Sequence, residues 1–159
     1  MMKEVFSQSE VVELGIQIEK NGRDFYNELT ARTGNSDARD IYKYLAGEEE
    51  KHIAKFSEIL DSIHQYEPSE AYPEEYFAYM NTLASQYVFT QKDKGSEIAK
   101  STKSDMEAID LGIKFEGDSI TFYEGMKKVV PEKDHRILDE LIAQEVSHKE
   151  KLIDLKEKL

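Results

Sequence analysis

Two Glu-x-x-His pairs, Glu49 with His52 and Glu145 with His148, are the side chains of this sequence best suited to chemistry. A three-residue step puts both members of a pair on one face of a helix. Each pair interrupts an apolar stripe. The first stripe reads Ala38, Ile41, Leu45, Glu49, His52, Phe56, Leu60, Ile63, and the second Leu138, Leu141, Glu145, His148, Leu152, Leu155. Two further acids sit in the same way: Glu19 follows Val12 and Ile16, and Glu116 follows Ile109 and Ile113. A carboxylate in a dry interior is costly unless compensated, and four converging carboxylates repel one another. Two divalent cations would cancel the four charges, with neutral imidazoles completing the coordination. One Glu from each of two helices plus Glu-x-x-His from each of two others is the di-metal carboxylate arrangement.

The elements that must position these groups are helical. The sequence has only 3 prolines and 8 glycines, and its apolar residues recur at three- and four-residue steps. A first helix is expected over about Ser9–Ala31, opened by a Ser7/Glu10 capping box and broken by Gly34-Asn35-Ser36. A second spans about Asp37–His64. Pro68–Tyr72 reads as a linker, Glu74–Phe89 as a shorter aromatic helix after Pro73, and Gln91–Ser104 as polar and partly irregular. Ser104 and Glu107 open a third long helix, from about Asp105 to Val129, and Pro131 marks the turn into a fourth that ends near Leu159.

These helices form two copies of one hairpin. Leu14-Gly15-Ile16-Gln17-Ile18-Glu19 returns as Leu111-Gly112-Ile113-Lys114-Phe115-Glu116, and Phe25-Tyr26 as Phe122-Tyr123, both at an offset of 97; Glu49-x-x-His52 returns as Glu145-x-x-His148 at 96. Three matches in order exclude coincidence. The heights also agree. Glu19 and Glu49 each stand 12 residues from their shared turn, and Glu116 and Glu145 each stand 13 from theirs, about 18–20 Å along the axis. A connection of about 40 residues, where adjacent antiparallel helices need about 2–8, can travel the length of the bundle and start the second hairpin at the far end.

Charge and composition narrow the function. With 21 Lys and Arg against 33 Asp and Glu, the formal charge is −12, which disfavours nucleic acid as a partner. The absence of cysteine removes disulfides, thiolate zinc sites and iron–sulfur clusters. No signal-like or membrane-length apolar run occurs, so a cytoplasmic, membrane-free protein of one domain over residues 1–159 is expected.

The sequence resembles the ferritin-like superfamily, and within it the rubrerythrin branch, over nearly its whole length. The resemblance rests on Glu19 with Tyr26, Glu49-Glu50-Lys51-His52 followed by Ile53-Ala54-Lys55-Phe56, Glu116 with Tyr123, and Glu145-Val146-Ser147-His148. It implies an all-α, four-helix bundle whose long crossover contains a short extra helix. It implies two iron ions, bridged by Glu49 and Glu145, with Glu19, Glu116, His52 and His148 as terminal ligands; manganese or zinc suits the same donors. It implies an oxidoreductase acting on hydrogen peroxide or dioxygen, the alternative being iron binding, storage or ferroxidation, or a bundle that keeps its ligands without using them. A homodimer is the expected assembly. Tyr26 and Tyr123 read equally as core aromatics or as hydrogen-bond donors to the terminal glutamates.

Two departures from that pattern stand out. Without cysteine there is no rubredoxin-like domain, so electrons must come from a separate protein. Ser119 stands where rubrerythrins carry an extra glutamate, which puts peroxide reduction in question and leaves six ligands. Elsewhere the plain readings prevail. Glu132-x-x-His135 lies in a first helical turn far from the other acids and reads as surface, as does His64. The aromatics Tyr72, Tyr76, Phe77, Tyr79, Tyr87 and Phe89 read as packing or a dimer contact. The Lys-rich end (Lys149, Lys151, Lys156, Lys158) complements the carbonyl end of the last helix.

Overall fold

The computed structural model describes residues 8–65 and 93–159, with side chains described over 8–63 and 93–159. Five α-helices and one 3-10 turn account for nearly all of them: α1 Gln8–Arg32, α2 Ser36–Gln65, α3 Gly95–Ser101, α4 Asp105–Met126 and α5 His135–Lys158, with the 3-10 turn at Glu132–Asp134. No strand occurs among the described residues. Each long helix buries one stripe. Val11, Val12, Ile18, Phe25 and Leu29 from α1 meet Tyr42, Leu45, Phe56 and Ile59 from α2, Ile109, Phe115 and Phe122 from α4, and Leu138, Leu141, Leu152 and Leu155 from α5 in one core.

Helix ends follow local chemistry. The Asn35 side chain accepts the Ala38 N–H at 2.9 Å and opens α2 one residue before the expected Asp37. Ser104 opens α4 by accepting from the Glu107 N–H at 3.1 Å, while Glu107 reaches back to the Lys103 N–H at 3.3 Å rather than to Ser104 itself. At its other end α4 stops at Met126, three residues short of the expected Val129. Residues 127–130 close tight turns, Lys128 N–H to Gly125 O at 3.1 Å and Val129 N–H to Met126 O at 3.0 Å. Pro131 explains the stop, since it disfavours helical backbone at Val130 and has no N–H to donate. The 3-10 turn follows, so α5 begins at His135.

Two contacts fix how the hairpins lie. Gln8 Nε2 donates to Val129 O at 2.6 Å, joining the start of α1 to the turn that follows α4. Thr33 Oγ1 donates to Asp105 Oδ1 at 2.7 Å, joining the end of α1 to the start of α4. Helices α1 and α4 are therefore antiparallel, and the chain must recover the length of the bundle between Gln65 and Asp105. That is the crossover the 40-residue connection predicted. Within its described part lies α3, in a stretch expected to be partly irregular. Its seat is the buried Asn21 of α1, whose Oδ1 accepts from Lys94 N–H at 3.0 Å and Gly95 N–H at 3.1 Å. A Cβ at residue 95 would collide with the Asn21 carbonyl, so only glycine allows this approach. The aromatic helix expected over 74–89, the 68–72 linker, Ser7 and the His64 side chain lie outside the described residues.

Candidate metal centre

At mid-height the core turns polar. Glu19, Glu49, Glu116 and Glu145 are each 0% exposed, His52 is 1% and His148 is 2%. All six residues singled out by the repeat therefore converge. They form two overlapping groups, Glu19–Glu49–His52–Glu145 and Glu49–Glu116–Glu145–His148, with the ligating atoms of each within 4.8 Å of one another. Glu49 and Glu145 belong to both. Among the described residues these are the groups able to hold a metal ion. Glu132 and His135 join neither; His135 Nε2 lies 3.2 Å from the Val130 carbonyl at the bundle end, in keeping with a surface reading.

The imidazoles lie side by side, centroids 5.5 Å apart and 14° from parallel. His52 Nδ1 stands 2.7 Å from Glu145 Oε1 and 3.3 Å from Glu19 Oε2. His148 Nδ1 stands farther from its acids, 3.6 Å from Glu49 and 3.8 Å from Glu116. The tyrosines resolve in favour of the hydrogen-bonding reading, with an exchange the repeat alone did not reveal. Tyr26 of α1 donates to Glu116 of α4 at 2.7 Å, and Tyr123 of α4 donates to Glu19 of α1 at 2.5 Å. Each hairpin's tyrosine holds the other hairpin's glutamate.

Burial governs the proton affinities. It pushes the carboxyls of Glu49, Glu116 and Glu145 well above the usual carboxylate range, reinforced by neighbouring carboxylates, Glu145 acting on Glu49 and Glu116 and Glu19 acting on Glu145. Burial presses Glu19 the same way, but the Glu49 carboxyl, His52 and Tyr123 outweigh it and hold Glu19 below that range. Burial pulls His52 down while Glu19 and the Gln144 contact carry it above the ordinary imidazole value. His148, desolvated and facing His52, falls to about 4. Both phenols are raised, first by burial and then by their carboxylate neighbours.

The donors fit a pair of cations on one test internal to the protein. Eight buried atoms of these six residues lack a hydrogen bond: both oxygens of Glu49 and of Glu145, one each of Glu19 and Glu116, and Nδ1 of both histidines. The tyrosines occupy the remaining oxygens of Glu19 and Glu116. Orphaned buried acceptors on this scale are rare in native proteins and require an explanation. Here the orphans are the atoms by which two bridging and two terminal carboxylates and two imidazoles would ligate two ions.

Three further residues shape the site without a warning in the sequence. Gly22 faces the Phe115 ring, which a Cβ would strike, and such a Cβ would lie 3.2 Å from Glu49 Oε2. Tyr42, fully buried, stacks on Tyr26 with centroids 6.4 Å apart. Gln144 Oε1 stands 2.5 Å from His52 Nε2. Ser119, where a further glutamate was the family expectation, is buried and donates to the Phe115 carbonyl of its own helix at 2.9 Å. No helix among the described residues is long and apolar enough to cross a membrane.

Comparison with known proteins agrees with this architecture. No curated protein matches the sequence. A solved structure from Thermotoga maritima, described as a ferritin-like diiron-carboxylate protein, superposes with a TM-score of 0.72 at 24% identity, covering 98% of each chain. At that identity the likeness speaks for the fold. Residues 10–156 match the family described as Rubrerythrin, a span that takes in all six convergent ligand-type residues and both tyrosines. The chain belongs to the rubrerythrin family.

Proposed function

We propose that the protein is a non-haem di-iron oxidoreductase that reacts with hydrogen peroxide or dioxygen. The observation that carries this reading is the set of eight buried ligand atoms that face one another without a hydrogen bond around the shared carboxylates of Glu49 and Glu145. Glu49 and Glu145 would bridge the ions; Glu19 with His52 and Glu116 with His148 would complete one position each. When bound, an iron pair supplies two electrons as both ions pass from ferrous to ferric. The chain's own part is to hold the donors and exclude water. Tyr26 and Tyr123 fix one oxygen of each terminal glutamate and leave the other facing inward. Carboxyls that bind protons strongly in the metal-free protein release them when cations arrive, so uptake is coupled to proton release. A cleft of about 230 Å³ between α2 and α5, lined in part by Lys51, Lys55 and Glu140, reaches His52 and gives a small oxidant a short way in. These residues hold no cysteine for a thiolate-bound iron of their own, and the reading takes a separate protein as the electron donor.

One feature favours a second reading, ferrous oxidation without peroxidase turnover. Ser119 spends its hydroxyl on the helix backbone and adds no seventh ligand. Rapid mixing separates the two. The anaerobic ferrous protein, mixed with peroxide and in a separate experiment with oxygen, should be oxidised by one of them within seconds. Renewed turnover on adding a reductant supports the enzyme, whereas steady uptake of iron beyond two per chain supports iron oxidation. Slow reaction with both oxidants excludes the oxidoreductase reading.

A further inference from the structure

We infer that Gln144 is a positioning residue for His52, fixing which ring nitrogen faces the ions and so making the ion position at His52 dependent on a side chain that the other position does without. Gln144 directly precedes Glu145 on α5 and reaches across to α2, where its Oε1 meets His52 Nε2 at 2.5 Å. A carboxamide oxygen only accepts, so this contact places a hydrogen on Nε2 and leaves Nδ1 to the centre. Nδ1 is the nitrogen grouped with Glu19, Glu49 and Glu145, and it is among the buried atoms without a hydrogen bond.

The repeat supplies the contrast. One hairpin earlier, the residue directly preceding the bridging glutamate is Glu48. Its oxygens are engaged by Tyr44 Oη at 2.6 Å and Lys51 Nζ at 3.3 Å, and Tyr44 in turn sets its ring edge-on to His148, centroids 6.2 Å apart. His148 is thus oriented by packing against an aromatic edge, His52 by a hydrogen bond to an amide. Gln144 also lines the α2–α5 cleft, beside His52. Replacing it leaves the core and the six ligands in place, so its loss should be felt at one ion position only. The inference rests on the proposed metal reading of the site.

The test uses cobalt as the probe and the whole chain. Titrating the metal-free protein with Co²⁺ should give two equivalents per chain. In Gln144→Leu one equivalent should weaken by about 10–100-fold, the scale of a lost outer-shell partner, while the other keeps its wild-type affinity. Gln144→Glu, which retains an acceptor, should restore the weakened one. Anomalous diffraction from crystals of cobalt-loaded Gln144→Leu should place the loss beside His52. In the zinc-loaded wild type, ¹⁵N–¹H correlation of the imidazoles should show His52 protonated at Nε2 and slow to exchange. Two unaltered equivalents, equal weakening of both, a loss beside His148, or His52 without its Nε2 proton each overturn the inference. Failure of the wild type to bind cobalt at all overturns the metal reading and this inference with it, which separates the two failures.

Discussion

The two hairpins bring the same three ligand types to the centre yet handle protons in opposite ways. In the first, Glu19 is held below its ordinary carboxyl value and His52 above its ordinary imidazole value, 3.3 Å apart, so each favours the charged form of the other. In the second, burial pushes Glu116 up and His148 down to about 4, so each is driven toward its neutral form. The cause is geometric. His52 lies against two carboxylates and a carboxamide, whereas His148 stands 3.6 Å or more from every acid it faces. A duplicated ligand set therefore need not give a symmetric site, because the surroundings of each copy decide where the charge resides.

Breaking the charged pair should have the largest effect. His52→Ala leaves Glu19 buried without its cationic partner, and should cost the metal-free protein roughly 3–5 kcal/mol in urea unfolding at neutral pH. His148→Ala, which removes a neutral ring, should cost clearly less; equal losses would erase the distinction between the hairpins. Next comes the packing difference. Gly22 faces Phe115, while the repeat-equivalent position in α4 holds Ser119. Gly22→Ala should destabilise by about 1–3 kcal/mol through the collision with the ring. Ser119→Ala should cost about 1 kcal/mol or less, the net worth of one hydrogen bond. Phe115→Ile should rescue Gly22→Ala in a double-mutant cycle, and additive losses would mean that the two sites do not communicate.

The crossed tyrosines give a smaller effect at a telling location. Tyr26→Phe should weaken the ion beside Glu116 by about tenfold and spare the one beside Glu19, and Tyr123→Phe should do the reverse, read by metal titration. Acidity gives the finest comparison. Glu49, Glu116 and Glu145, with raised values, stabilise the metal-free fold below the unfolded carboxylate value near 4.5, and that contribution is lost as pH rises through their folded values. Glu19, lowered, has the opposite sign and contributes above 4.5. His52 contributes below 6.5 and loses its share as pH rises, whereas His148 contributes above 6.5 and loses its share as pH falls toward about 4. Above 4.5 Glu19 no longer titrates, so the three raised carboxyls, opposed by His148 up to 6.5, should make metal-free stability fall as pH rises, by about 1.4 kcal/mol per pH unit for each net proton released. The metal-loaded protein should stay flat, and calorimetric melting of both forms over that rise would show the gap widening.

The convergence of the four glutamates and two histidines was legible in the sequence because their cost is local. An acid on an apolar stripe contradicts helix periodicity, and a second copy at a fixed offset shows that the contradiction is kept. Equal distances from the turns then bring Glu19, Glu49, Glu116 and Glu145 to one level without any knowledge of packing. Ser104 as the opening residue of α4 was legible for the same reason, since a cap is written within four residues. What escaped depends on contacts between distant segments. Nothing near Gly95 announces that Asn21 will receive it, so α3 was expected to be partly irregular. Gln144 is one polar residue among many on the outer side of α5 until α2 is laid beside it. The repeat located Tyr26 and Tyr123 but not which glutamate each would meet, because that depends on how the hairpins cross.

That crossing has a consequence for how the bundle is built. When Tyr26 serves Glu116 and Tyr123 serves Glu19, contact i-to-j is repeated as j-to-i, the bookkeeping of a two-fold dimer written into a single polypeptide. Neither half can finish its own ligand shell. Separately produced halves should therefore have to pair before either offers a metal a complete seat, and a change made in one half will first be felt at the ligand of the other.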